Sequence, residues 1–259
     1  MVIARRLLVA TLVVACGAGC AGRGADSPSP TASSESTAVV TSSAGAPPVA
    51  SSTTPAVPPV SDQARAAGLV DIRTVVPGAI VDLRYATSNN FVGTPLYPPD
   101  ARCLVHESMA PGLAAAAQAL RPQGEVLVFW DCYRPHDVQV RMFEAFPQPG
   151  WVATPGPYSR SHEAGRSVDV TIASAGAQCA PAQRVNGLCL VDMGTDFDDF
   201  TPRAHAFATD GVTAEAQANR ARLREAMNPG GLTVYSGEWW HFDGPDAYVE
   251  RPILDVPIN

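Results

Sequence analysis

The composition of this chain changes sharply near residue 61, and that change limits which part of the chain can fold. All 4 Trp, 6 Tyr and 8 Phe residues lie after this point. Residues 21–61 are almost wholly Ser, Thr, Ala, Pro, Gly and Val, without a periodic apolar face. Such a segment buries too little apolar surface to offset its chain entropy. We therefore predict a disordered tether over residues 21–61 and one folded domain over residues 62–259.

The first 20 residues have the pattern of a secretory signal peptide. A basic start precedes an apolar run over residues 7–15, which is too short to span a bilayer stably. Cys16 and Cys20 each follow small residues, as the lipidated cysteine of a bacterial lipoprotein does. We predict a lipoprotein-type signal peptide over residues 1–20, and an ordinary signal peptide with incidental cysteines is the alternative. Both place the protein outside the cytoplasm, either anchored to the outer face of the cell membrane or secreted.

The remaining four cysteines form an even set, which in an oxidising compartment predicts two disulfides. Three pairings are possible, and we favour Cys179 with Cys189 and Cys103 with Cys132. Zinc binding by these thiols is the alternative, but no C-x-x-C spacing supports it.

Net charge argues against one class of partner. The chain carries a formal charge of -7 at pH 7, and the clustered Lys and Arg residues that bind nucleic acid phosphates are absent from its sequence. Nothing in the sequence indicates a protein partner.

Four short segments rich in β-forming residues and flanked by Gly or Pro predict strands over residues 79–85, 125–130, 167–172 and 232–236. Helical spacing of apolar residues, an Ala-rich stretch and a Thr cap predict helices over residues 111–120, 137–146 and 213–227. Because these spacings do not repeat as βαβ units, we predict a single α+β domain with a mainly antiparallel central sheet flanked by helices.

The first chemical cluster surrounds the third predicted strand. Three apolar residues alternate on one face of that strand: Val168, Val170 and Ile172. Asp169 therefore points to the other face. His162 precedes the strand across a glycine-containing turn, so the chain can fold back and place the imidazole near this carboxylate.

The second cluster is Gly237-Glu-Trp-Trp-His-Phe242, in which Glu238 and His241 lie within an apolar wall. A charged carboxylate in such surroundings is costly unless it has a partner or a task. If His241 joins His162 and Asp169, the three form a zinc site with a fourth position open to water, as in catalytic zinc sites. Glu238 would then act as the general base.

Taken singly, these residues have structural interpretations. A lone His beside aromatic residues is usually a hydrogen-bonded core residue, and a lone Asp in a strand is usually a cap or an ion-pair partner. The two clusters together favour the metal site. His106, His136 and His205 lack a comparable setting, and we interpret them as structural or surface residues.

A third segment ends a predicted strand with Asp131 and Arg134. Arg134 is placed to stabilise the oxyanion that forms when water adds to a carbonyl. The alternative, which sequence alone favours somewhat, is a structural ion pair between the two side chains.

The combination resembles the VanX-type D-alanyl-D-alanine dipeptidases of peptidase family M15. The resemblance runs through nearly all of residues 70–257 and is carried by five stretches in the family's order: Arg84-Tyr-Ala-Thr-Ser-Asn-Asn-Phe-Val-Gly93, Trp130-Asp-Cys-Tyr-Arg-Pro135, His162-x-x-Gly-x-x-x-Asp169, Met193-Gly-Thr-Asp-Phe-Asp198 and Glu238-Trp-Trp-His241. It implies the hedgehog-like M15 fold with one Zn²⁺ held on the sheet.

The resemblance also implies roles for individual positions. His162, Asp169 and His241 match the zinc ligands. Glu238 matches the catalytic base, and Arg134 matches the arginine that stabilises the transition state.

Two further positions match the substrate pocket of the family. Asp198 matches the carboxylate that receives the substrate's ammonium group, and Tyr85 matches a tyrosine lining the same pocket. The chain departs from the family at Arg160, where a serine is usual.

The sequence thus predicts a zinc dipeptidase that cleaves D-alanyl-D-alanine in peptidoglycan turnover or salvage outside the membrane. One alternative is a D,D-carboxypeptidase that acts on cell-wall stem peptides. Another is a non-catalytic, zinc-containing lipoprotein that binds the wall.

Overall fold

The structure, a computed structural model, describes residues 56–259. The predicted signal peptide, both candidate lipidation sites (Cys16 and Cys20) and most of the predicted tether lie outside the described residues. Within the described part, the helices are α1 (Asp62–Ala66), α2 (Ile72–Val75), α3 (Ala110–Leu120), α4 (His136–Ala145) and α5 (Ala214–Met227). The strands there are β1 (Leu69–Asp71), β2 (Ile80–Val81), β3 (Leu104–His106), β4 (Glu125–Asp131), β5 (Ser167–Ser174), β6 (Arg184–Val185), β7 (Leu188–Leu190), β8 (Thr233–Val234) and β9 (His241–Asp243).

The central strand of the larger sheet is β5. β4 pairs along one edge of β5, while β9 and β7 pair with the first and last parts of its other edge. β2 pairs in parallel with β4, and the other pairings described for this sheet are antiparallel. β1 and β3 form a separate antiparallel pair. The sheet is therefore mixed, and the predicted α+β class is confirmed.

The core lies on both faces of β5, because every residue from Ser167 to Ala173 is buried. Helix α3 packs on β4 and against α5, and the apolar side chains of Leu113 and Leu223 are fully buried there. Full burial of a side chain of this size contributes roughly 1.5–3 kcal/mol. Trp239 and Trp240 are also buried, so the predicted apolar wall is part of the core.

The three predicted helices are present with nearly the predicted bounds, as α3, α4 and α5. At the start of α5, Thr213 acts as the predicted cap: its side-chain oxygen accepts a hydrogen bond of 3.1 Å from the backbone N–H of Ala216. Among residues 56–259, no helix combines the length and the apolar character needed to cross a bilayer.

The predicted strand over residues 79–85 is too long. Regular pairing covers only Ile80 and Val81, and a 3-10 turn follows over Arg84–Ala86. The turn is stabilised because the backbone carbonyl of Tyr85 accepts hydrogen bonds from the N–H groups of Leu96 and Tyr97, at 2.8 and 2.9 Å. These bonds fix Tyr85 where the strand would otherwise continue.

The two cysteine pairs in the structure are those that the sequence favours, Cys103–Cys132 and Cys179–Cys189. The first joins the residue before β3 to the residue after β4, across 29 positions of the chain. The second joins a residue before β6 to Cys189 within β7 and closes a loop of only 10 positions.

Removal of the longer cross-link should destabilise the domain more than removal of the shorter one. Because loss of loop-closure entropy in the unfolded chain grows with loop length, the double variant Cys103→Ala/Cys132→Ala should lose about 3–4 kcal/mol of unfolding free energy. The matched control, Cys179→Ala/Cys189→Ala, should lose about 1 kcal/mol less. Urea denaturation measures both, and equal stability of all three proteins would contradict the prediction.

Candidate metal centre

The register of the sheet places an acid and a histidine side by side. Asp169, the third residue of β5, lies directly opposite His241 of β9 and opposite Asp131 of β4. Opposite residues of an antiparallel pair point to the same face and have Cβ atoms about 4.5–5.5 Å apart. Three polar side chains from adjacent strands therefore meet on one face of the sheet.

His162 reaches this cluster from a short 3-10 turn, Ser161–Ala164, directly before β5. The turn ends at Gly165, whose φ of +65° is left-handed; a Cβ there would lie 2.6 Å from the Leu69 side chain. Glycine is therefore required for both conformation and space. The backbone N–H of Arg134 donates to the His162 carbonyl at 3.1 Å, which ties the turn to the end of β4.

Three donor atoms converge at the centre of the cluster. His162 Nε2 lies 3.2 Å from Asp169 Oδ1, His241 Nδ1 lies 3.0 Å from the same oxygen, and the two nitrogens are 3.1 Å apart. All three residues are buried. The structure thus brings together the three residues that the sequence predicts as metal ligands.

The outward nitrogens of both imidazoles have acceptors as partners. His162 Nδ1 donates to the carbonyl oxygen of Cys132 at 2.8 Å, and His241 Nε2 donates to Asp243 Oδ1 at 3.0 Å. With its outward nitrogen as the donor, each neutral imidazole would offer the lone pair of its inward nitrogen to a metal ion. Two such nitrogens and a carboxylate oxygen at this spacing require a proton or a metal ion between them.

The electrostatics of the cluster also favour positive charge. Burial lowers the pKa of His241, but hydrogen bonds to Asp169 and Asp243 outweigh it and hold that pKa well above its usual value. Burial raises the pKa of Asp243, but hydrogen bonds from His241, Ser167 and Tyr248 lower it to about 2. The carboxylates thus remain charged and attract a cation to this position.

The dimensions of the cluster fit a metal ion. Ligand atoms about 2.0–2.1 Å from a tetrahedral zinc ion are about 3.3 Å from one another, close to the spacings of 3.0 to 3.2 Å observed here. Two imidazoles and one carboxylate are a donor set that binds such ions, and three protein ligands leave a fourth position free.

The cluster forms part of the wall of a cavity of about 390 Å³. All seven residues that the sequence predicts for catalysis, metal binding and substrate binding contribute to its lining: Tyr85, Arg134, His162, Asp169, Asp198, Glu238 and His241. They come from five separate stretches of the chain and meet only in the folded domain.

Glu238 lies beside the cluster, with a carboxylate oxygen 3.9 Å from His241 Nδ1. Burial raises its pKa to about 7, and Asp169 adds to the rise while His241 opposes it. Within residues 56–259 its side chain makes no hydrogen bond, so the carboxylate is available to accept a proton. A pKa near neutrality suits a general base.

Arg134 makes the structural ion pair that sequence alone favoured, and it also lines the cavity. Its Nε and one terminal nitrogen donate to Asp131 Oδ2 at 2.9 and 2.7 Å, and its other terminal nitrogen donates to Gln139 at 2.6 Å. One terminal nitrogen lies 4.0 Å from Asp169. The two interpretations are therefore compatible, because the pairing holds the guanidinium at the metal centre.

Asp198 and Tyr85 form a second polar group in the cavity. The Tyr85 hydroxyl is 3.1 Å from both carboxylate oxygens of Asp198 and donates to them. Burial, together with the negative charges of Asp169 and Glu238, raises the pKa of Asp198 well above its usual value. A cationic group bound here would restore the charge of this carboxylate.

Comparison with known proteins agrees with this geometry. The family Peptidase M15, described as D-ala-D-ala dipeptidase, matches residues 65–259. The chain belongs to this family.

Curated relatives extend the match over most of their own lengths. The D-alanyl-D-alanine dipeptidase of Escherichia coli (strain K12) is 33% identical over 72% of this chain and 89% of its own. Its counterpart in Enterococcus faecium is 28% identical, over 74% of this chain and 98% of its own. The D-alanyl-D-alanine dipeptidase of Streptomyces coelicolor is 30% identical, over 69% of this chain and 95% of its own.

Sequence reasoning missed several residues that support this M15 peptidase site. Asp243 orients His241, and the only signal for it was its position two residues further along the same strand. Gln139 holds Arg134. His136, which we had interpreted as structural, hydrogen-bonds Glu163 in the cavity wall through Nδ1 at 2.5 Å. The contact between His136 and Glu163 joins segments 27 residues apart, and the two shorter-range contacts depend on side-chain directions that the sequence pattern does not record.

The other two histidines that the sequence analysis interprets as structural do not line the cavity. His106 contacts Ser108 and Arg166, and His205 stacks on Trp151. Neither lines the cavity.

Asp243, the hydrogen-bond partner of His241, should strengthen metal binding without contacting the ion. Replacing Asp243 with Ala removes the acceptor that fixes the imidazole, so metal affinity should fall about 10- to 100-fold. Competition with a chelator of known affinity measures the change. Asp210→Ala, which removes an exposed carboxylate away from the cavity, should leave metal affinity unchanged. Equal affinity of the Asp243→Ala variant and the unaltered protein would show that this contact does not matter.

Proposed function

We propose that this chain is a zinc metallopeptidase that hydrolyses D-alanyl-D-alanine to two molecules of D-alanine. One observation carries the proposal: the His162, Asp169 and His241 donors converge within a cavity that Glu238 and Arg134 also line. The names of the relatives point to the substrate.

His162, Asp169 and His241 would hold one Zn²⁺ per chain. When bound, this ion supplies a Lewis acid that polarises the scissile carbonyl and lowers the pKa of water. The chain's own contribution is to fix both imidazoles through Cys132 and Asp243, so that little reorganisation accompanies binding.

Glu238 acts as the base in this proposal. Its carboxylate accepts a proton from the attacking water as the water oxygen bonds to the carbonyl carbon. It then returns the proton to the departing amine as the peptide C–N bond breaks. Its pKa of about 7 allows both steps near neutral pH.

Arg134 stabilises the negative charge that develops on the carbonyl oxygen. Asp131 and Gln139 hold its guanidinium before substrate arrives, so the charge is already oriented when the transition state forms.

Asp198 receives the ammonium group of the dipeptide, with Tyr85 beside it. An ammonium group shielded from water in the cavity requires a counter-charge, and the carboxylate of Asp198, which lies beside the Tyr85 hydroxyl, would supply it. This end of the cavity would therefore restrict the enzyme to substrates with a free amino terminus.

We also propose that the protein is exported by its predicted signal peptide, is anchored through lipidated Cys16 or Cys20, and salvages or turns over peptidoglycan-derived dipeptide. Support comes from the amino-terminal sequence and from the two disulfides, which are typical of oxidising compartments. Detection of the mature protein in the cytosol by cell fractionation would refute this part of the proposal.

Loss of the base should abolish turnover and spare the metal. Glu238→Gln keeps the size of the side chain but removes its capacity to accept a proton, so kcat for D-alanyl-D-alanine should fall by 10²-fold or more. Zinc content by elemental analysis should equal that of the unaltered protein. Chelation of zinc should abolish turnover of the unaltered protein, and zinc should restore it. Substantial activity of Glu238→Gln would remove this residue from the mechanism, and no activity in any preparation would favour a non-catalytic role.

The state of the substrate's amino terminus separates a dipeptidase from a D,D-carboxypeptidase. The unaltered protein should hydrolyse free D-alanyl-D-alanine with a kcat/KM at least 10-fold above that for N-acetyl-D-alanyl-D-alanine, which lacks the ammonium group. Asp198→Asn should lose most of this preference through a higher KM for the free dipeptide. Faster hydrolysis of the acetylated substrate would favour the carboxypeptidase.

A further inference from the structure

Two arginines line the cavity, and they differ in how far the protein uses them. Arg134 donates from all three of its side-chain nitrogens to Asp131 and Gln139. Within residues 56–259, the guanidinium of Arg160 makes neither a hydrogen bond nor an ion pair. Arg160 is thus the cavity arginine whose donors remain free for a ligand.

The backbone of Arg160 is fixed on both sides. Ser159 exchanges two backbone hydrogen bonds with Arg251, at 2.8 and 3.0 Å, and the N–H of Ser161 donates to the Ala247 carbonyl at 2.7 Å. Residue 160 is extended between these anchors. The position of its side chain at the cavity wall is therefore set by the fold and not by a flexible loop.

The side chain of Arg160 is also oriented. Its guanidinium lies over the ring of Tyr158, with the central carbon 5.4 Å from the ring centroid. No acceptor among the described residues occupies the N–H groups of this guanidinium, and the N–H edge of a guanidinium matches the two oxygens of a carboxylate. Arg160 is half-buried, so such a contact would be partly shielded from water.

Arg160 and Asp198 lie in different electrostatic surroundings within the cavity. Burial raises the pKa of Glu163 and of Tyr248, and the charge of Arg160 opposes both shifts. The groups that act on Asp198 are instead Asp169, Glu238, Tyr85 and Arg134. Asp198 is hydrogen-bonded to Tyr85, whereas the guanidinium of Arg160 lies over Tyr158, so the acidic and the basic group have different neighbours in the cavity lining.

Glu163 does not use up the charge of Arg160. Its carboxylate oxygen Oε1 is hydrogen-bonded to His136 Nδ1 at 2.5 Å. No ion pair joins it to Arg160 in the described part of the chain.

We propose that Arg160 is a specificity-determining residue that binds the α-carboxylate of the substrate. This inference rests on the proposed dipeptidase function. A dipeptide with free ends carries one positive and one negative charge, and a peptide carbonyl lies between them. With the carbonyl at the metal centre and the ammonium group at Asp198, the remaining charged end of the dipeptide is assigned to Arg160, the cavity arginine that the described residues leave without an acceptor.

The test compares D-alanyl-D-alanine with D-alanyl-D-alaninamide, which lacks the carboxylate, on three purified zinc-loaded proteins. Arg160→Ala should raise KM for the free acid about 10-fold or more and change kcat little, because the lost contact is made in the ground state and the transition state alike. KM for the amide should stay within about 2-fold of the unaltered protein. Arg160→Lys keeps the charge but not the planar N–H edge. Its KM for the free acid should therefore lie between that of the unaltered protein and that of Arg160→Ala.

Arg184→Ala provides the matched control, since it removes an exposed arginine away from the cavity and changes the net charge equally. It should leave KM for both substrates unchanged. Thermal unfolding of Arg160→Ala at the same temperature as the unaltered protein excludes a folding defect.

Two negative results have different meanings. If the unaltered protein hydrolyses D-alanyl-D-alanine but Arg160→Ala changes KM for acid and amide by the same factor, or changes neither, the role of Arg160 is overturned. If the zinc-loaded unaltered protein neither hydrolyses nor binds the dipeptide by calorimetry, the dipeptidase function itself fails, and the role of Arg160 in it fails as well.

Discussion

The pairing of β5 with β9 is the interaction on which the rest of the site depends. The register of this pair places His241 opposite Asp169. The pairing of β5 with β4 places Asp131 opposite the same aspartate, on its other edge. A slip of one residue would turn His241 to the opposite face and remove the centre completely. Two contacts directly before β9 support this register: Trp239 and Trp240 are both buried, and the Trp240 carbonyl accepts a hydrogen bond of 2.9 Å from the N–H of Val170 in β5.

Several acidic side chains lie in or beside the cavity wall, and their contacts show how the protein tolerates them. Asp131 accepts hydrogen bonds from Arg134, and Asp243 accepts one from His241, which offsets the cost of burying these charges. Asp198 accepts a hydrogen bond from the Tyr85 hydroxyl, but burial still raises its pKa well above its usual value. Among the residues predicted for the site, the carboxylate of Glu238 accepts no hydrogen bond from the described residues, and it lies beside the three clustered ligand atoms. The unmet requirement for positive charge and protons is thereby concentrated at one point, where a metal ion and water belong.

How much the sequence could predict depended on the range of the contacts involved. Local patterns predicted α3, α4 and α5 and the Thr213 cap, because helix signals lie within a few residues. The strand predicted over residues 79–85 is longer than the observed β2. Hydrogen bonds from Leu96 and Tyr97 to the Tyr85 carbonyl stabilise a turn there, and no local sequence pattern indicates them. β9 is only three residues long, too short for alternation to be recognised. The cluster residues were predicted by their chemistry and by resemblance, whereas the supporting contacts of Asp243 and Gln139 became evident only in the fold.

The cross-link between Cys103 and Cys132 has a bearing on chemistry as well as on stability. Cys132 contributes its sulfur to this bond and its carbonyl oxygen to His162, so one residue links the covalent framework to an imidazole of the centre. Reduction of the bond would leave that carbonyl held by the neighbouring backbone alone, with less definition of where the imidazole points. The covalent cross-link thus helps to define the direction of a candidate metal ligand as well as to stabilise the domain.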